Sequence, residues 1–287
     1  MGSLEYAVHA YAWTTSWSNN TLDLIDRTKG LGFDCIEVPL MEIDSIDPPK
    51  IKKRLEQVGL GVCTSLACSE TTDVSSEDET IRKQGVDYLK KCVQATADMG
   101  ATCLTGVIYS AIGGQIDGFP DERYWDRSAA ALKEVAKMAV DVGVTLGIEA
   151  INRYETFLVN TCDQALKLRE MVDEPNVKVH LDAYHMNIEE NDFYTPTKKA
   201  IPYLCHFHLS ESHRGTPGTG TVNWDEIYRA FGEENYTGLV GLESFAEVSD
   251  SMRAATCMWR NLAPSSDILL RDGLAYLKGL EEKYYGK

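Results

Sequence analysis

A chain of 287 residues carries 44 Asp and Glu against 28 Lys and Arg, for a formal charge of −16, and 44% of its residues are apolar. That balance excludes nucleic acid as the expected partner, because such binding rests on Lys and Arg neutralising phosphates. It favours a soluble protein with a neutral or metal-bound substrate. No apolar run approaches the ~18 residues of a membrane span, and no basic segment followed by a long apolar run marks a signal peptide at the N-terminus. The eight cysteines, Cys35, Cys63, Cys68, Cys92, Cys103, Cys162, Cys205 and Cys257, form no C-x-x-C pair. They read as reduced, small hydrophobic residues of a cytoplasmic protein rather than as disulfides or a zinc ribbon.

In chain order, strand one is expected over 5–13. Asn20 and Thr21 can cap helix one, whose Leu22, Leu24, Ile25 and Leu31 recur at helical spacing and which Gly32 ends. Strand two covers 33–38. Pro48 and Pro49 start helix two, which runs to Val58 and stops at Gly59. Strand three covers 61–66. The run Ser75-Ser76-Glu77-Asp78-Glu79 opens a long helix to Met99 with acids in its first turn. Strand four covers 102–108, a Gly-rich loop 111–120, and helix four about 122–142. Strand five reaches Glu149, Thr161-Cys162-Asp163 leads into helix five, and strand six reaches Asp182. After a helix near 194–201, strand seven reaches His208. A polar loop over 210–220 and a helix over 224–231 precede strand eight, which reaches Glu243, and the last helix covers 267–285. Strands alternating with helices imply a parallel sheet. Eight of them favour one closed (β/α)8 TIM barrel, a single domain over 1–287, over an open doubly wound sheet. No G-x-G-x-x-G follows strand one, so a dinucleotide fold is not supported.

Four consecutive strands thus end in Glu149, Asp182, His208 and Glu243, and a parallel barrel gathers such ends at one mouth. Their O, O, N, O donor set describes a divalent cation site. It suits Mn²⁺, with Co²⁺ or Mg²⁺ as alternatives, better than a structural Zn²⁺ with its thiolates. The competing reading is a hydrogen-bonded polar network without metal. His206 and His208 both point inward; His208, nearer the mouth, is the better ligand and His206 reads as a satisfied core histidine. A cation with open positions can chelate a carbonyl and its neighbouring hydroxyl and stabilise an enediolate. Only then can a glutamate take a proton from carbon. Glu149 and Glu243, three strands apart on opposing walls, allow one to remove that proton and the other to return one from the far face, which inverts the centre. Glu155, His185 and Arg214 follow the same strands closely and read as polar contacts for a polyhydroxylated molecule.

These residues resemble the ketose 3-epimerases, meaning D-tagatose 3-epimerase and D-psicose (allulose) 3-epimerase, within the xylose-isomerase-like barrels. The likeness lies in Ile148-Glu149-Ala150-Ile151-Asn152-Arg153-Tyr154-Glu155 and Leu181-Asp182-Ala183-Tyr184-His185-Met186-Asn187-Ile188-Glu189-Glu190. It continues in His206-Phe207-His208, Glu211-Ser212-His213-Arg214, Pro217-Gly218-Thr219-Gly220 and Leu242-Glu243-Ser244-Phe245. The resemblance implies Glu149, Asp182, His208 and Glu243 as ligands of Mn²⁺ or a similar ion. It implies Glu149 and Glu243 as the acid/base pair, and His185, Arg214 and Glu155 as the holders of O1 to O3 of a ketose. It also implies a homodimer or homotetramer, with no nucleic-acid or membrane partner. The sequence departs from the family at three places. Ala111-Ile112-Gly113-Gly114 stands where a Trp-Pro pair is common, His9 where a Tyr is common, and Ser244 where Pro often follows the last Glu. The missing Trp implies a roomier pocket around C5 and C6, with Trp13, Leu66, Cys68 and Phe245 as its candidate apolar wall.

Three rival readings remain at this stage. An aldose–ketose isomerase on the same barrel needs no second base. A metal-dependent DNA-repair endonuclease would need more histidines than the six present and a basic face. A silent sugar-binding protein would lack one of the two glutamates.

Overall fold

The computed structural model describes residues 3–247 and 249–286. Eight parallel strands close into a barrel in sequence order: β1 (Glu5–His9), β2 (Cys35–Pro39), β3 (Gly61–Cys68), β4 (Cys103–Ala111), β5 (Thr145–Glu149), β6 (Val177–Asp182), β7 (Leu204–His208) and β8 (Leu239–Leu242). Closure runs through β1 and β8, with Glu5 opposite Leu239 and Val8 opposite Leu242. Among the described residues ten helices surround the barrel: α1 (Asp23–Gly30), α2 (Pro48–Val58), α3 (Glu79–Met99), α4 (Glu122–Asp141), α5 (Cys162–Val172), α6 (Ala183–Glu189), α7 (Tyr194–Ala200), α8 (Trp224–Glu233), α9 (Asp250–Ala255) and α10 (Ser266–Tyr285). The helices cover the outward-facing residues of the strands, so the strands are buried on both faces and read as nearly continuous apolar runs. At the floor of the barrel Ala7, Cys35 and Cys63 pack together. The eight cysteines are free thiols, and no helix among the described residues is long and apolar enough to cross a membrane.

The helix boundaries follow local chemistry. Asp47, Asp78, Asp121 and Thr161 accept hydrogen bonds from backbone N–H groups in the first turns of α2, α3, α4 and α5, and Thr161 with Gln164 forms a capping box. Several expected boundaries shift. β1 stops at His9, where a short 3-10 turn over Ala10–Ala12 leads the chain outward. α1 begins at Asp23 without a side-chain cap, because Thr21 turns its hydroxyl back to the Ser18 carbonyl at 2.8 Å. α3 begins at Glu79, since Ser75 is tied to Asp73 instead. α6 and α9, each under two turns, are additions to the expected pattern.

β3 and β4 run further than expected, and their pairing shifts between Ala67 and Cys68, which places Cys68 opposite Ala111. Such a bulge at a barrel rim bends the strands over the mouth. Gly106 on β4 makes the close approach there. Its φ is +119°, and a Cβ would stand 2.0 Å from the Leu66 carbonyl oxygen, so no other residue fits.

Candidate active site

Glu149, Asp182 and His208 are the last residues of β5, β6 and β7, and Glu243 follows β8 directly. Register fixes their neighbourhood: Asp182 lies opposite His208 across the β6–β7 pair. Three carboxylates surround one imidazole nitrogen. His208 Nδ1 is 3.8 Å from Glu149 Oε1, 3.8 Å from Asp182 Oδ2 and 3.5 Å from Glu243 Oε2. Among the described residues it has no hydrogen-bond partner. The other ring nitrogen, Nε2, is 2.9 Å from Glu37 Oε2. An ionised carboxylate only accepts, so Nε2 carries a proton; burial lowers the imidazole, but Glu37 and Glu243 outweigh it and hold it well above its ordinary value. Three carboxylates gathered in one buried site repel one another unless positive charge lies among them, and ligand atoms of Glu149, Asp182 and His208 lie within 4.8 Å of one another. The residues present therefore fit a divalent cation.

The carboxyls are not equivalent. Burial pushes Glu149 well above the usual carboxylate range, with His208 opposing and Glu243 and Asp182 adding. Burial also raises Asp182, to about 6, against the pull of Arg214 and His208. For Glu243 burial is overcome by Arg214 and His208, which hold it well below its ordinary value. Asp182 divides its oxygens: Oδ1 accepts the Tyr184 N–H at 2.8 Å to cap α6, while Oδ2 faces the site.

Arg214, Glu155 and His185 reach the same mouth. Arg214 lies in the left-handed region, with φ +61°. Its guanidinium donates to Asp182 Oδ2 at 3.0 Å, to Ser210 Oγ at 3.2 Å and to Glu243. It lies 4.2 Å from the centre of the Tyr184 ring and 5.1 Å from that of Phe245. Its backbone is held by Ser244, whose hydroxyl donates to the Arg214 carbonyl at 2.9 Å. Asn152 fixes His185: its N–H and its side-chain NH₂ both donate to His185 Nδ1, at 3.1 and 2.8 Å. The proton of His185 is therefore on Nε2. The 3.4 Å between that atom and Arg214 Nη2 is a contact of two donors, both available to an acceptor in the cavity. Glu155 accepts from Asn152 Nδ2 at 2.8 Å, and its carbonyl accepts the Gly113 N–H at 2.7 Å, which ties the loops after β4 and β5 together. Glu211 organises the loop that carries Arg214, accepting from the N–H groups of Ser212, Gly218 and Val222 and from Trp224 Nε1.

Glu149, His208, Glu243, Glu155, His185 and Arg214 line a cavity of about 540 Å³, whereas Asp182 is not among its lining residues. Leu66, Cys68 and Phe245 are on its wall as expected, joined by Tyr11, Met41, Ile112, Gly113, Tyr154 and Met252. Trp13 is not among the lining residues and corrects the expectation. With β1 ended at His9, Trp13 points outward, donating its indole N–H to Asp267 Oδ1 at 2.9 Å beneath the Arg27 guanidinium. His206 is fully buried with Nε2 2.8 Å from Glu37 Oε2. Glu37 itself had no expected role. Its one signal in the sequence is an ionisable residue inside a five-residue strand that is otherwise apolar.

The model of the xylose isomerase-like TIM barrel family matches residues 25–275. Among curated proteins the chain is 37% identical to a ketose 3-epimerase of Arthrobacter globiformis, covering 97% of this chain and 99% of that protein. It is 36% identical to an L-ribulose 3-epimerase of Methylomonas sp. (strain DH-1), covering 96% and 97%. Among solved structures, a D-allulose 3-epimerase from Methylomonas sp. in complex with D-allulose aligns with a TM-score of 0.91 at 35% identity, covering 97% of this chain and 98% of that one.

Proposed function

The chain belongs to the xylose isomerase-like TIM barrel family, among its ketose 3-epimerases, and from that premise we propose that it inverts C3 of a free ketose with a divalent cation held by Glu149, Asp182, His208 and Glu243. It is an enzyme of the isomerase class. The observation that carries the reading is the convergence of three carboxylates at 3.5–3.8 Å on the unpartnered Nδ1 of His208. Oxygen donors with one nitrogen suit Mn²⁺, with Co²⁺ or Mg²⁺ as alternatives. When bound, the ion supplies Lewis-acid stabilisation of the negative charge that develops on the sugar oxygens as the C3 proton leaves.

The side chains do the rest. One of Glu149 and Glu243, ionised, takes the proton from C3; the other, protonated, gives its proton to the opposite face. The pair ends with the same number of protons it began with, and the two exchange roles in the reverse direction. His185 Nε2–H and the Arg214 guanidinium donate to oxygens at the O1 to O3 end, and Glu155 accepts there. Leu66, Cys68 and Phe245 flank the carbon chain. Ile112 and Gly113 line the cavity where an aromatic residue is common in the family, which leaves room around C5 and C6. Relatives named for L-ribulose and D-psicose make those ketoses, with D-fructose, D-tagatose and D-sorbose, the substrates to try. The proposed assembly is a homodimer or homotetramer, which light scattering on the purified protein checks.

The test is incubation with Mn²⁺ and each ketose in D₂O, with products read by NMR. A metal-dependent 3-epimer, with deuterium at C3 where solvent reaches the acid, is expected. An aldose product, or no product from any ketose with metal bound, rejects the reading.

A further inference from the structure

Glu37, in the middle of β2, is fully buried and takes no part in the proton transfers above. It stands beneath the cation centre among three imidazoles. Its Oε2 is 2.8 Å from His206 Nε2 and 2.9 Å from His208 Nε2, and its Oε1 is 3.5 Å from His9 Nε2. The tautomer of His9 is assigned independently. Its Nδ1 accepts the Tyr11 N–H at 3.1 Å, so its proton is on Nε2, which meets Ser65 Oγ at 3.0 Å, while Glu37 Oε1 stands 3.5 Å away without a hydrogen-bond partner among the described residues. Glu37 Oε2 is thus met by His206 and His208, and among the described residues no other side chain hydrogen-bonds the carboxylate.

For His208 the consequence reaches the site. Among the described residues its ring makes no hydrogen bond other than that to Glu37. A neutral imidazole free of that bond could carry its proton on either nitrogen, and a proton on Nδ1 would remove the lone pair that faces Glu149, Asp182 and Glu243. From this geometry we propose that Glu37 is a positioning residue for the cation centre. It locks His208 as the Nε2-protonated tautomer and holds the ring so that Nδ1 meets the three carboxylates. This rests on the cation reading above. A carboxylate that accepts the far N–H of a ligating imidazole also makes the ring a stronger donor. The packing supports the same orientation: the His180 ring lies edge-on to His208 at 4.3 Å between centres and the His206 ring at 4.7 Å, so rotation of His208 is sterically opposed.

The test substitutes Glu37→Gln, which keeps the shape but presents an amide NH₂ to N–H groups that need an acceptor. Cobalt titration by calorimetry is expected to show the dissociation constant rising by about 10- to 100-fold, with a changed Co²⁺ visible spectrum. Glu37→Asp restores the charge one methylene short and should recover part of the affinity. In the parent protein loaded with Mg²⁺, ¹⁵N NMR should report His208 as protonated on Nε2. Glu37→Gln binding Co²⁺ with an unchanged constant and spectrum overturns the proposal, and so does a parent His208 protonated on Nδ1. Should Glu37→Gln fail to fold, the parent tautomer and the Glu37→Asp titration decide. A parent that binds neither Co²⁺ nor Mg²⁺ overturns the cation reading together with this inference, whereas a parent that binds and a variant that binds equally overturn this inference alone.

Discussion

Glu243→Gln separates the two-base reaction from every reading in which the cavity only binds a sugar. The substitution removes the charge and keeps the volume. Glu243 meets Arg214 and lies 3.5 Å from His208 Nδ1, but Arg214 retains Asp182 at 3.0 Å and Ser210 at 3.2 Å. Stripping a buried charge of its whole partner costs about 3–5 kcal/mol, so losing one of two carboxylates should cost about half of that and leave a folded protein. General acid–base catalysis contributes about 10²- to 10⁴-fold, which is about 3–5 kcal/mol in the barrier. With Mn²⁺ held at saturation, as calibrated by calorimetry on the variant, kcat for the ketose should therefore fall by that factor while sugar binding weakens far less. The remaining base, Glu149, can still exchange the C3 hydrogen of the epimer that presents it to β5. NMR in D₂O should then show label entering one epimer and no inversion. A variant that keeps the parent kcat, or one that labels both epimers at equal rates, refutes the assignment of Glu243 as one of two opposed bases.

Three further outcomes follow from single contacts. Gly106→Ala would put a Cβ 2.0 Å from the Leu66 carbonyl at a φ of +119°, so a loss of about 3 kcal/mol or more is expected; a thermal melt matching the parent would show that β3 and β4 do not need this approach. At Glu211 burial raises the carboxyl, but hydrogen bonds from Ser212, Trp224, Val222 and Gly218 outweigh it and leave it below its ordinary value. The stabilisation is then complete above the unfolded pKa of about 4.3 and is lost as pH falls through the lower folded one. Glu211→Gln should flatten that acid limb of the stability curve and raise KM through the Arg214 loop, and an unchanged limb in acid denaturation would refute the role. Trp13→Phe loses the hydrogen bond to Asp267 and about 1 kcal/mol of stability, yet should leave KM for the ketose where it was, because the ring does not line the cavity.

Where the sequence was legible, one physical signal dominated. The runs before Glu149, Asp182, His208 and Glu243 are mostly apolar and buried on both faces of the barrel, so an ionisable residue at the end of each marks the mouth, even though Lys178 and His180 interrupt β6 and His206 interrupts β7. Prolines at the start of α2 and glycines after α2 and α3 punctuate the helices in the same direct way. α6 was not legible, because its cap is Asp182 itself, a residue already accounted for at the strand end, and because seven residues show no full helical repeat. Trp13 was misplaced by the same rule that found the strands: aromatic alternation continues past His9, while the backbone has already left the barrel. Glu37 was silent because its partners, His206 and His208, lie 169 and 171 residues further along the chain.

The division between legible and silent residues matches a division of labour in the site. The candidate cation ligands end strands or follow one directly, where register holds them, and their identity can be read from neighbours in sequence. Arg214 reaches the same carboxylates from a loop, through a left-handed residue whose carbonyl is pinned by Ser244 and whose segment is pinned by Glu211. Asp182 and Glu243, candidate ligands of the cation, already accept from the Arg214 guanidinium. In the proposed reaction the guanidinium would stand beside the sugar oxygens on which negative charge develops, where preorganised charge lowers a barrier most. The wall at Ile112 and Gly113 has no such constraint from register. It hangs on the Gly113 N–H to Glu155 carbonyl bond at 2.7 Å, so substitutions at Ile112 should shift which ketose is preferred more than they lower the rate of the proposed inversion at C3.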